Sequence, residues 1–136
     1  MLNAVIDTNI LVSGLLAAQG NPAYIINSFR DGKFNLIYSS EILEEYRDVL
    51  HRERLGLDPT SVELLLDEIF RIGLAVISDI SDTRLIDKDD RIFLDTAKSS
   101  GALLVTGNIK HYPHEPFITT PASFVKMLHH AEQIAF

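Results

Sequence analysis

Apolar positions in this chain fall into short dense runs, set between longer stretches where they recur at three- and four-residue spacing. Leu2 to Ile6, Phe34 to Tyr38, Leu74 to Ile77 and Ala102 to Thr106 are dense runs. They are too short for a helix face and predict strands, the last buried on both faces. Phe117 to Thr119 is a candidate fifth strand. Ile10 to Ala18 predicts a short helix ending near Gly20. Asn21-Pro22 opens the next helix, with a capping side chain before a proline, and Asp31-Gly32 closes it. Ser40 is read as the cap of a helix reaching about His51. Pro59-Thr60-Ser61 opens another, with Val62, Leu65, Leu66 and Ile69 on one face and Gly73 at its end. Ser78 to Lys88 is polar and loop-like. Asp89 or Asp90 caps a helix carrying Ile92, Phe93, Leu94 and Ala97 that stops at Gly101. Pro121 starts a last helix through Met127 and Leu128. Strands alternating with helices predict an α/β protein, a three-layer α/β/α sandwich around a mostly parallel sheet. A length of 136 residues suits a single domain, 1–136.

Composition narrows the function. Lys and Arg number 12 against 19 Asp and Glu, a formal net charge of −7. Bulk attraction to nucleic acid is therefore not expected, and a polyanionic substrate must be met by a local basic patch or by bound cations. The absence of cysteine excludes disulfides, thiolate catalysis and zinc–cysteine sites, and fits a reducing cytosol. No stretch approaches the roughly 18 uninterrupted apolar residues a membrane span needs, and no basic region precedes a cleavable apolar run. A cytoplasmic protein with no membrane association is the expectation.

The candidate chemistry lies where strands end. Asp7-Thr8-Asn9 follows the first strand, and ligands of open α/β sheets gather at the carboxyl ends of strands. The ordinary reading of Asp7 is a helix cap. In Ser40 through Leu50, the residues Ile42, Leu43, Tyr46, Val49 and Leu50 form the apolar stripe. At about 100° per residue, Glu45 falls on the flank of that stripe while Glu41 and Glu44 face solvent. A surface ion pair is the ordinary reading of Glu45. Asp87-Lys88-Asp89-Asp90 precedes a helix, where acids are favoured by the helix dipole; Asp90 sits best to point back at the strand ends. Asp95 is rotated away from Asp90, and either reaches the rim of the site or faces solvent. Thr106-Gly107-Asn108 ends the fourth strand beside Asp7, and Gly-Asn is also an ordinary turn. Three carboxylates at one sheet end repel and cannot all stay ionised without a cation. Oxygen ligands of this kind suit Mg²⁺ or Mn²⁺, and such a site suits phosphodiester hydrolysis.

Taken in order, Val5 to Ser13, Ser40 to Leu50, Asp87 to Ala97, Leu104 to Asn108 and Thr120 to Phe124 resemble the PIN domain family of metal-dependent ribonucleases, and most of all its branch of toxin–antitoxin toxins. The resemblance covers nearly the whole chain and implies a Rossmann-like parallel sheet. It implies metal ligands at Asp7, Glu45 and Asp90, with Thr8 and Asn9 as companions of the first acid. The fourth acid of many members falls on Asn108, an amide that orients but brings no charge; Asp87 and Asp95 are candidate replacements. The implied protein is a Mg²⁺- or Mn²⁺-dependent endoribonuclease, the toxin of a type II pair. Thr8, Asn9 and Thr106 would orient ligands, with Asn108 among the catalytic residues. Arg47, Arg52, Arg54, Lys110, His111 and His114 are the candidate phosphate contacts. RNA, an antitoxin protein and a second copy in a homodimer are the expected partners. Leu11, Leu15 and Leu16 belong either to the core or to a partner face.

Two other readings compete. A PIN-like binding module with a weakened nuclease site is favoured by Asn108. A different phosphoryl-transfer enzyme is disfavoured, because Asn9 stands where a haloacid-dehalogenase-like phosphatase wants a second aspartate, and no Gly-x-x-x-x-Gly-Lys run is present.

Overall fold

The computed structural model describes residues 1–78 and 87–134. Five strands form one sheet: β1 (Asn3–Ile6), β2 (Asn35–Tyr38), β3 (Leu74–Ala75), β4 (Leu103–Val105) and β5 (Ile118–Thr119). All four pairings are parallel, in the order β3-β2-β1-β4-β5. Six α-helices complete the described residues: α1 (Thr8–Leu16), α2 (Asn21–Arg30), α3 (Ser40–Leu50), α4 (Pro59–Ile72), α5 (Lys88–Ser100) and α6 (Pro121–Ile134). This is the α/β sandwich that the alternating pattern predicts. No helix among the described residues is long and apolar enough to cross a membrane.

The order reverses beside β1. The chain builds outward from β1 through β2 to β3, then returns to place β4 and β5 on the other flank. The crevice beyond the carboxyl ends of β1 and β4 is therefore the switch point, where such sheets bind ligands. Past the exposed Asn3 both strands are apolar because helices cover both of their faces: Ala4, Val5, Ile6, Leu104 and Val105 are fully buried. On α4, Val62, Leu65, Leu66 and Ile69 are likewise buried, each contributing about 1.5–3 kcal/mol of burial. Leu11 lies in the core, whereas Leu16 is exposed. Gly14 permits the tight α1–α2 contact, since a Cβ there would sit only 3.0 Å from the Pro22 carbonyl oxygen.

The element boundaries differ from the sequence expectation at several helix starts. α1 begins at Thr8 rather than Ile10, directly behind Asp7. Ser39, not Ser40, caps α3: its backbone is extended and its Oγ accepts the Ile42 N–H at 3.3 Å, while Ser40 is already helical. α5 begins at Lys88, so Asp87 holds the cap position and Asp89 and Asp90 lie in the first turn. The third strand is shorter than Leu74 to Ile77, because both of its residues are exposed on an edge. A 3-10 turn, Glu53–Leu55, follows α3 and a second, Ile109–His111, follows β4; neither was legible as a helix. Most of the polar stretch read as a loop between Ser78 and Lys88 lies outside the described residues.

Candidate active site

Asp7 is placed by the β1–β4 ladder, which continues one residue past the strand: its N–H donates to Val105 O at 3.0 Å. It holds the cap position of α1 yet makes no side-chain capping bond. Instead Thr106 Oγ1, from the end of β4, donates to Asp7 Oδ2 at 2.7 Å. An ionised carboxylate can only accept, so Thr106 is the donor; Thr106 Oγ1 in turn accepts the Asn108 N–H at 3.0 Å. Burial pushes the Asp7 carboxyl above its usual range, against the pull of Thr106, the neighbouring amides of Thr8 and Asn9, and Tyr112.

α3 is set against the end of β1 by Tyr46, the residue after Glu45. The fully buried Tyr46 hydroxyl donates to the Ile6 carbonyl oxygen, and its ring meets Phe93 of α5 at 6.1 Å. This one side chain ties the helix carrying Glu45, the helix carrying Asp90 and the strand carrying Asp7. Thr96 adds a second tie between α5 and the start of α3, its Oγ1 lying 3.3 Å from Ser39 Oγ.

The result is a cleft of about 190 Å³ walled by Asp7, Thr8, Asn9, Glu45, Asp89 and Asp90 on its acidic side. Arg52, just before the first 3-10 turn, and Arg54, within it, also line the cleft, with Val12, Val49, Leu55 and Phe93 supplying apolar wall. Glu45 is raised by partial burial, then by the charge of Asp89, with Arg52 opposing and Asp48 and Asp7 adding. Asp90 is raised by burial, then by Asp7, with His111 opposing. Glu45 and Asp90 thus each sense the charges of Asp7 and Asp89 in a partly desolvated cleft, the electrostatic condition a cation relieves.

The structure sorts the sequence-predicted residues. Asp7, Glu45, Asp90, Thr8, Asn9, Arg52 and Arg54 share the cleft, and Thr106 stands behind Asp7. Asn108, Lys110 and His111 line a neighbouring groove of about 290 Å³ with Gly107, Ile109 and Thr120. The two concavities adjoin where His111 Nδ1 comes within 3.5 Å of Asp90 Oδ2. Asp87 is exposed at the cap of α5, whereas Asp95 is buried within α5, with Oδ1 lacking a hydrogen-bond partner. Arg47 pairs with Glu63 at 3.3 Å, and His114 is exposed. Asp89, which from its position in the sequence is only a candidate cap, lines the cleft, and Tyr112, which no motif marks, is buried with its hydroxyl 3.5 Å from Asp7 Oδ2. No sequence signal separates such a tyrosine from a buried phenylalanine.

Among the described residues, no group of three Asp, Glu or His side chains is gathered tightly enough, as it stands, to hold a metal ion. The donor set nonetheless fits a hard divalent cation. Every polar donor on the acidic wall is oxygen-bearing, and Thr8 Oγ1 is buried there with no hydrogen-bond partner.

The fold and the acidic switch-point cleft are those of a nuclease-type α/β protein. A family model described as PIN domain matches residues 3–110, and the chain belongs to that family. PIN domains are generally nucleases and typically use divalent metals. The match takes in every acid of the cleft and ends within the second 3-10 turn. Among curated proteins, none matches the chain.

Proposed function

We propose that residues 1–136 act as one domain, a Mg²⁺- or Mn²⁺-dependent endoribonuclease. Asp7, Glu45 and Asp90 would hold the cation directly or through water, with Thr8, Asn9 and Thr106 orienting them. The observation that carries this reading is Asp7: a buried carboxylate at a helix start that leaves its helix uncapped and lies among other acids at the switch point. When bound, the cation would supply a nucleophile from water near neutral pH and offset charge on the phosphate.

The chain's own residues do the remainder. Thr106 holds Asp7 in one rotamer, so the carboxylate is set before substrate arrives. Arg54 lines the cleft with no ion pair to an acid among the described residues, which leaves it available to a phosphate. Arg52 is shared with Asp48 at 3.0 Å. Lys110 and His111 extend the positive wall on the far side of Asp90, next to the Asn108 amide. These local cations meet RNA where the net charge of −7 does not. The likeness to the toxin branch supports an antitoxin as protein partner, acting by covering this cleft in the cytoplasm.

The test is cleavage of single-stranded RNA with Mg²⁺ and with Mn²⁺, against a chelator control and Asp7→Asn. Cleavage that needs the metal and the Asp7 carboxylate is expected. Cleavage that persists in chelator, or in a folded Asp7→Asn protein, overturns the assignment. A second reading, a PIN-fold RNA-binding module, is favoured by Asn108 and by acids that are not gathered as they stand. RNA binding without any metal-dependent cleavage would select it.

A further inference from the structure

We propose that Tyr112 is a positioning residue of the metal site: its buried hydroxyl, which donates to Asp7 Oδ2, fixes which carboxylate oxygen of Asp7 faces a cation. This rests on the metal-dependent reading above and adds a residue that reading does not require. The described chain contains an internal control. Tyr38 and Tyr46 are also buried, and both donate to backbone carbonyls, of Phe70 and Ile6. Tyr112 instead donates to a carboxylate, Asp7 Oδ2, at 3.5 Å.

The consequence follows from the geometry of one carboxylate. The last side-chain torsion of aspartate is broad and roughly two-fold, so an unrestrained Asp7 would exchange its oxygens freely. Here two donors converge on the same atom: Thr106 Oγ1 at 2.7 Å and the Tyr112 hydroxyl at 3.5 Å both point at Oδ2. Among the described residues no side chain donates to Oδ1; besides the Thr8 and Asn9 amides that act on the carboxylate at the helix start, Oδ1 is the oxygen open to a ligand. The two donors come from the end of β4 and from the residue closing the 3-10 turn after it. One stretch of chain, Thr106 to Tyr112, thereby grips Asp7 from behind while its groove face carries Asn108, Lys110 and His111. Partners that orient metal ligands in this way commonly change metal affinity about 10–100-fold when removed.

The test is Tyr112→Phe in the full chain, which keeps the ring and its packing and removes only the hydroxyl. Mn²⁺ is titrated in and free Mn²⁺ is followed by electron paramagnetic resonance, with circular dichroism confirming the fold. The parent is expected to bind Mn²⁺ saturably and the variant about tenfold more weakly. A merely structural hydroxyl would lower Tm and leave the Mn²⁺ affinity of the folded protein unchanged, which would overturn the proposal while leaving the metal reading intact. Absence of saturable Mn²⁺ binding by the parent would overturn both.

Discussion

Two aspartates of this protein stand at the same place in a helix and do different things. Asp58, before α4, caps it: its Oδ2 accepts the Ser61 N–H at 3.3 Å and the Ser61 hydroxyl at 2.9 Å, out in solvent. Asp7, before α1, is buried, makes no capping bond and gives Oδ2 to Thr106 instead. A carboxylate at a helix start is cheap to explain when it caps. One that forgoes the cap, loses its water and is pushed towards protonation is destabilising where it stands, and its place at the strand switch point suggests the compensating use.

The largest effect that sharpens the contrast is on cleavage. Asp7→Asn should lower metal-dependent RNA cleavage at least about 100-fold, the scale of the several kcal/mol a bound metal contributes. The metal-free Tm should hold or rise, because an uncomfortable charge is gone and an oxygen remains for Thr106. A large fall in Tm would show that the Asp7 charge supports the fold instead.

Next in size is pH. Asp7, Glu45 and Asp90 all lie above their ordinary values of 3.8, 4.5 and 3.8 in the folded chain. The folded state therefore binds more protons than the unfolded one in that window, and stability falls as pH rises. Without metal, denaturant midpoints should be higher near pH 4 than near neutrality as far as these groups are concerned. Asp7→Asn should flatten the slope, and saturating Mg²⁺ should oppose it. An unchanged slope in Asp7→Asn would break the account of Asp7 burial.

Asp58→Ala should cost about 1 kcal/mol of stability, as lost caps do, and leave cleavage at the parental rate. A drop in cleavage beyond that expected from unfolding would erase the distinction between the two aspartates. Smallest of all, Asp87→Asn should keep cleavage within about twofold of the parent, since an exposed charge at the edge acts weakly. A larger loss would bring Asp87 into the site.

The sequence made the sheet legible because its central strands β1 and β4 are buried on both faces and so read as dense apolar runs. Glu45 was legible because helical periodicity put it beside the Ile42–Tyr46–Val49 stripe, and it is half-buried on the cleft wall, while Glu41 and Glu44 are exposed. The strand order was not, because nothing local in β2 or β4 records which neighbour each will pair with. Helix starts slipped by one or two residues wherever two capping types stood in tandem: Ser39 and Ser40 are chemically alike, and backbone geometry alone chose the first. Asp95 reads as a candidate rim residue, yet it is buried within α5, because its neighbours Phe93, Leu94, Thr96 and Ala97 are all buried too. Tyr112 and the two 3-10 turns were beyond reach, since their significance depends on what lies across the sheet edge.

The most direct test of the central claim is a crystal structure in Mn²⁺ with data collected at the manganese edge. An anomalous peak is expected in the cleft, at Asp7 and held by Glu45 and Asp90 directly or through water. Saturating Mn²⁺ with no peak there, or with peaks only at other surfaces, would contradict it.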